Sequence, residues 1–195
     1  MTPIEIPDDV LAAVYAHAIA AFPEECCGYL VGAAPGAVDR AIACRNAWAD
    51  GGHPIVPELA ARGADQGFVI AGAELFRFAR SFDTDRPARV VYHSHTNGRA
   101  YFSTVDRRIA AGPAYPVQHV VIGVALPAVA AVVAVVKESP GPLPAIDPLP
   151  VPLPAPLPVV REVAQFAWSA TAGDYVEVAR WTADRARPTV AGARR

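Results

Sequence analysis

The chain has 195 residues, which is enough for one domain with a substantial core and does not require two. Hydrophobic residues make up 53% and charged residues 18% of the sequence, so the composition is apolar for a soluble protein and unlike that of a disordered chain. A formal net charge of -2 gives no electrostatic reason to expect nucleic acid or an anionic membrane as a partner.

The first third of the chain predicts one helix and two strands. Pro7 and Asp8 mark the start of the helix and Pro23 its end, and one face is apolar through Val10, Leu11, Val14 and Ala18. Short apolar runs then predict strands over residues 26–31 and around residues 38–45.

A long loop, a second helix and a strand are predicted next. Residues 46–67 contain several Gly and Pro residues and form the loop, of a length that is often functional. Residues 73–82 form the helix, with apolar residues Leu75, Phe76 and Phe78. Residues 89–95 form an apolar strand that ends in His-Ser-His.

A short helix from about Thr104 to Ala111 is bounded by Ser103 and by Gly112-Pro113. The apolar run from Val117 to Val136 has the length of a membrane-spanning helix. Pro127 in its middle and its many Val residues favour two buried strands instead, and no membrane association is expected.

The last part of the chain begins with a low-complexity segment. Pro occupies nearly every second position over residues 140–158, which predicts an extended, polyproline-like conformation. Beyond it, residues 163–169 and 175–181 alternate around a Gly and predict a β-hairpin. The predicted organisation is a core over residues 1–138, a Pro-rich loop over 139–159, the hairpin over 160–184, packed on the core, and a flexible tail over 185–195.

Three cysteines, Cys26, Cys27 and Cys44, do not make a disulfide framework, and no secretory leader is recognisable. A reducing cytoplasm is therefore the expected compartment. A thiol nucleophile is disfavoured because Cys26 and Cys27 follow two glutamates, which raise a thiol pKa, so core packing is expected for all three.

The residues that carry chemistry lie at the end of the His-Ser-His strand. Alternate strand side chains share a face, so His93 and His95 can converge on one metal ion. Asp106 lies in the first turn of the following helix and can return as a carboxylate ligand. Two His and one carboxylate leave the fourth zinc position free for water, as a catalytic site requires.

A general base is still needed for that water. A glutamate at the start of the first strand, in Glu24-Glu25-Cys26-Cys27-Gly28, reaches the zinc-bound water if this strand pairs with the His-Ser-His strand. Ser103 could donate a hydrogen bond to the developing oxyanion.

At these positions the chain resembles the JAMM (MPN-plus) family of zinc metallopeptidases. The family pattern is a Glu, His-Ser/Thr-His, seven residues and Ser-x-x-Asp; here His93-Ser94-His95 is followed by residues 96–102 and by Ser103-Thr104-Val105-Asp106. The family's Glu-x-Cys-Gly selects Glu25 over Glu24 as the base. Many relatives have Pro after the second His, where this chain has Thr96, which puts the subfamily in doubt.

The resemblance covers roughly residues 8–137 and implies a mixed-sheet, cytidine-deaminase-like α/β/α core. It also implies bound Zn2+ and hydrolysis at the C-terminal tail of a ubiquitin-like protein. Small prokaryotic members of this kind act on sulfur-carrier proteins that end in Gly-Gly, so such a carrier is the expected partner. A homodimer is one possible assembly that the sequence does not decide.

Several alternatives remain. A non-catalytic scaffold would keep the fold and bind a ubiquitin-like partner without metal. The Pro-rich segment could instead dock an aromatic groove on a partner, and Ser103-x-x-Asp106 also reads as a helix capping box. Tyr101 and Phe102 are either core contacts or a groove wall, whereas Trp48 and three further histidines are interpreted as packed or surface residues: His17, His53 and His119.

Overall fold

A computed structural model describes residues 1–50, 63–112, 114–127 and 156–183. The second strand predicted after Pro127, most of the Pro-rich segment, the tail and His53 lie outside the described residues. The helices and strands, in chain order, are α1 (Asp8–Ala21), β1 (Cys27–Val31), β2 (Arg40–Cys44), α2 (Gly72–Ser81), β3 (Ala88–His95), α3 (Thr104–Ala111), β4 (Gln118–Ala125), β5 (Val159–Ser169) and β6 (Asp174–Trp181).

The six strands form one mixed sheet in the order β2-β1-β3-β4-β5-β6. Every neighbouring pair is antiparallel except β3 and β4, which are parallel. Parallel strands need a crossover connection, and α3 lies within it. The predicted hairpin is confirmed as β5–β6, and β5 pairs with β4, so the hairpin extends the central sheet.

Helices cover both faces of this sheet, as the predicted α/β/α core requires. On one face, α1 packs its predicted apolar side against alternate residues of the strands, among them Leu30, Tyr92 and Ile122. On the other face, Phe78 of α2 packs beside Tyr29 and Val91, while α3 lies near a second cluster around Phe102. Alternation along each strand thus divides the core into two layers.

Most element boundaries lie within two residues of the predicted ones, and α2 spans Gly72–Ser81 where residues 73–82 were predicted. Its apolar residues Leu75 and Phe76 are 41% and 63% exposed, and only Phe78 and Ser81 are buried. The apolar run from Val117 is a strand through Ala125, as Pro127 and the Val content predicted. No helix among the described residues is long and apolar enough to cross a membrane.

Candidate metal centre

The two histidines lie on one face of β3, where that strand leaves the sheet. His93 is paired with Cys27 of β1 on one side and with Val121 of β4 on the other. Because β3 is central, the two rings are buried, at 0% and 5% exposure for His93 and His95. Phe68 stacks on the His93 ring, with centroids 4.4 Å apart, and fixes its orientation.

Asp106 reaches the histidines from the first turn of α3. Ser103 is the N-cap: its Oγ accepts the N–H of Asp106 at 3.1 Å, and the Asp106 carboxylate accepts the N–H of Ser103 at 2.7 Å. This capping box satisfies helix donors that would otherwise lack partners. The capping and metal-binding interpretations are compatible, because the cap holds the same carboxylate oxygen that faces the histidines.

Three ligand atoms form a nearly regular triangle. His93 Nε2 and His95 Nε2 are 3.2 Å apart, and they lie 3.4 and 3.5 Å from Asp106 Oδ2. An ion bound tetrahedrally at about 2.0–2.1 Å needs ligands separated by about 3.3–3.4 Å. The three side chains therefore fit a small divalent ion, and they are the one such group found among the described residues.

The ionisation of the three groups suits metal binding. Burial lowers the pKa of His93 and so favours the neutral ring that a metal ligand requires. Burial alone would raise the pKa of Asp106, but the facing His93 and His95 outweigh it and hold that pKa below its ordinary value. A buried carboxylate that stays ionised is stabilised by a cation. The Nε2 atoms of both rings face Asp106 Oδ2, while their Nδ1 atoms are buried and have no hydrogen-bond partner among the described residues.

Glu25 approaches the same face from β1. β1 pairs with β3, which meets the condition stated above for Glu25, and two hydrogen bonds continue the pairing past Cys27: Ser94 N–H to the Cys26 carbonyl at 3.0 Å, and Cys26 N–H to Ser94 Oγ at 2.8 Å. The continued register sets Glu25 opposite His95, so their side chains share a face. Glu25 is 6% exposed, whereas Glu24 is exposed.

The three residues before α3 differ in their surroundings. Ser103 Oγ accepts one hydrogen bond, and its hydroxyl proton has no acceptor in the described part of the chain. Tyr101 is 44% exposed, and its ring centroid lies 4.5 Å from that of His95. Phe102 is buried. Tyr101 thus borders the approach to the site, while Phe102 packs in a core cluster and also lines a cavity that reaches Asp106.

His119 was interpreted from sequence as an isolated residue, and the structure places it next to the centre. It lies on β4 beside Val91, between the rings of Phe102 and Tyr175, and it lines a cavity of about 410 Å³ that reaches Asp106. Burial lowers its pKa to about 3, so it is neutral. Only the β3–β4 register reveals this neighbour, and the sequence alone carries no such signal.

The cysteines are buried and unpaired, as expected. Burial raises the pKa of Cys26 to about 11 and that of Cys44 to about 12, and it raises the pKa of Cys27 as well. Glu25 adds to the shift at Cys26 and Cys27. The thiols are therefore protonated at neutral pH and are not nucleophiles.

Comparison with protein families gives one match, which spans most of the chain. The family described as prokaryotic homologs of the JAB domain matches residues 7–139. That range contains Glu25, the His-Ser-His strand, the capping box and β4. No protein of curated function matches the chain.

Several solved structures are similar to this one at low sequence identity. A protein from Desulfitobacterium hafniense shares 19% identity, with 89% of this chain and 88% of that chain covered and a TM-score of 0.49. A protein from Salinibacter ruber shares 16% identity, with 95% of each chain covered and a TM-score of 0.49. A JAB1/MPN domain protein from Archaeoglobus fulgidus shares 15% identity over 62% of this chain and 78% of its own, with a TM-score of 0.36.

Proposed function

The chain belongs to the family of prokaryotic homologs of the JAB domain, and on that premise we propose that it is a zinc-dependent peptidase with Glu25 as its general base. The observation that carries the proposal is the triangle of His93 Nε2, His95 Nε2 and Asp106 Oδ2, whose 3.2–3.5 Å edges suit tetrahedral zinc. Two imidazoles and one carboxylate also make a ligand set typical of catalytic rather than structural zinc.

Zinc at such a site polarises a carbonyl and lowers the pKa of a water molecule. Glu25, on the same face as His95, takes the proton from the attacking water and later delivers it to the leaving nitrogen. The Ser103 hydroxyl, which has a proton to donate, hydrogen-bonds the oxyanion of the tetrahedral intermediate. Asp106 stays ionised throughout, because the capping box and the histidines hold its charge.

We propose the C-terminal tail of a ubiquitin-like sulfur-carrier protein as the substrate. The ligands and Glu25 are each at most 6% exposed, so only a slender, extended segment can bring a carbonyl to them. A Gly-Gly end has no side chains to clash with such an enclosed centre. Tyr101, exposed beside His95, offers an aromatic surface along which an extended tail can lie.

The test is hydrolysis of carriers that bear a short extension after Gly-Gly. Purified protein, loaded with one equivalent of zinc, is incubated with a panel of such carriers, and the masses of the products are measured by mass spectrometry. We expect a mass loss that corresponds to cleavage after Gly-Gly, abolished by a chelator and by Glu25→Ala. Cleavage that persists in Glu25→Ala would contradict the assigned mechanism.

The non-catalytic scaffold predicts a different result from the same material. A folded wild-type protein that binds a carrier, contains no zinc by elemental analysis and takes none up on addition would favour the scaffold. Zinc bound at about one per chain and lost in Asp106→Ala would exclude it.

A further inference from the structure

The side chain of Asn46 joins three separate stretches of backbone through five hydrogen bonds. Its Nδ2 donates to the carbonyl of Glu25 at 3.0 Å, to that of Gly67 at 2.9 Å and, at the longer distance of 3.5 Å, to that of Ala64. Its Oδ1 accepts the N–H of Trp48 at 3.0 Å and that of Val69 at 3.2 Å. Both donors and both acceptor positions of the amide are thus used, and these partners fix the orientation of the amide.

These contacts bear directly on the candidate metal centre. One partner is the backbone of Glu25, whose N–H is also bound by the neighbouring loop through the Ala64 carbonyl at 2.8 Å. Two other partners, Gly67 and Val69, flank Phe68, whose ring stacks on His93. One amide therefore ties the backbone of the base to the loop that orients a metal ligand.

We propose that Asn46 is the positioning residue that sets the place of the Glu25 carboxylate relative to the metal. This inference rests on the proposed role of Glu25 as the base. Ser94 anchors the β1 side of Glu25 through the Cys26 N–H, so β3 fixes one flank of the base and Asn46 the other. Asn46 touches neither metal ligand nor substrate in this scheme and acts through Glu25.

Asn46→Asp is the sharpest change, because it keeps the size and both acceptor contacts but removes both donors. Its carboxylate oxygen would face the Glu25 and Gly67 carbonyl oxygens, so that one acceptor meets another where a donor stood. The backbone of Glu25 is then expected to shift, and a misplacement of about 1 Å lowers the rate by about a hundredfold. Asn46→Ala removes the acceptor contacts as well as the donors, without the repulsion, and serves as a second variant.

Cobalt(II) is the probe, because its visible absorption bands report the geometry around the bound ion without any substrate. Wild type, Asn46→Asp, Asn46→Ala and Glu25→Gln are loaded with cobalt at the same pH, and their metal content is measured. The matched control is Asn97→Asp, the same chemical change at the only other asparagine, which is exposed and is hydrogen-bonded to Tyr101 and Arg99 rather than to Glu25. The kcat is measured in parallel on any carrier that wild type cleaves.

We expect full cobalt content in every variant, with bands of both Asn46 variants altered as in Glu25→Gln and those of Asn97→Asp unchanged. We also expect kcat to fall about a hundredfold in Asn46→Asp with KM little changed. Wild-type bands in both folded Asn46 variants would overturn the positioning role while leaving the peptidase intact. If wild type binds cobalt but cleaves no carrier, the peptidase proposal alone is contradicted, and the absorption bands still test the role of Asn46. If wild type takes up no cobalt, both proposals are contradicted.

Discussion

The two carboxylates of the site are held in opposite ways. Asp106 is fixed by Ser103, three residues away, through a capping box that any short helix of this sequence could form. Glu25 is fixed by partners far along the chain, since its backbone is held by Asn46 and Ala64 and its neighbour Cys26 by Ser94. The ligand is therefore preorganised locally, whereas the base takes its place only when the whole sheet and the loop have folded.

Loss of the metal ligand Asp106 is expected to have the largest effect on activity. Asp106→Ala leaves two histidines, which do not hold zinc in a catalytic geometry, so we expect metal and activity to be lost together. Elemental analysis of the purified variant measures the first and carrier hydrolysis the second. Glu25→Ala is the control, because it should lose activity and keep its metal. A full zinc content in Asp106→Ala would exclude this residue as a necessary ligand.

Loss of the base Glu25 is expected to have the next largest effect, on the rate of hydrolysis and not on metal binding. Glu25→Gln keeps the size of the side chain and removes its ability to take a proton, so kcat should fall by about 10²–10⁴. The bound zinc should be unchanged. The exposed neighbour supplies a matched control: Glu24→Gln should retain full activity. If the two variants lost activity equally, the choice of Glu25 as base would be wrong.

Ser103→Ala tests the local support of Asp106. It removes the proposed oxyanion donor, which lowers kcat by about a hundredfold or more, and it removes the helix cap, which destabilises the fold by about 1 kcal/mol. Kinetics at saturating zinc and urea unfolding separate the two effects. Ser103→Thr keeps the hydroxyl and should recover most of both. A stable but slow Ser103→Thr would show that the hydroxyl is not the group that matters.

How far the sequence could predict the molecule follows the same division. The capping box and the alternation of His93 and His95 are local, so the bounds of α3 and the face of the histidines could be predicted without the structure. The β1–β3 pairing was only a condition in the sequence argument, because strand partners are chosen by distant contacts. Which apolar residue of α2 is buried, namely Phe78, depends on the assembled sheet, and so do the places of Asn46 and His119. The sequence does not predict them.

His119 offers the mildest test, because it is a non-local neighbour of the centre whose effect should depend on pH. Its folded pKa is lowered to about 3 by burial from the ordinary 6.5. Between these values the unfolded chain binds a proton that the folded chain does not, so stability is full above pH 6.5 and falls as the pH drops. The loss amounts to at most about 1.4 kcal/mol per pH unit.

His119→Phe keeps a ring between Phe102 and Tyr175 and removes this titration. We therefore expect the free energy of unfolding of metal-free protein to fall less in the variant than in wild type between pH 7 and pH 5, as measured by urea denaturation. His17→Phe is the control: His17 is half-buried and hydrogen-bonded to Tyr92, whereas His119 is almost fully enclosed, so the His17 variant should keep most of the acid sensitivity. If the free energy of unfolding fell equally with pH in wild type and His119→Phe, His119 would be solvated in the folded protein. The cavity beside Asp106 would then be open to water rather than sealed by the rings around it.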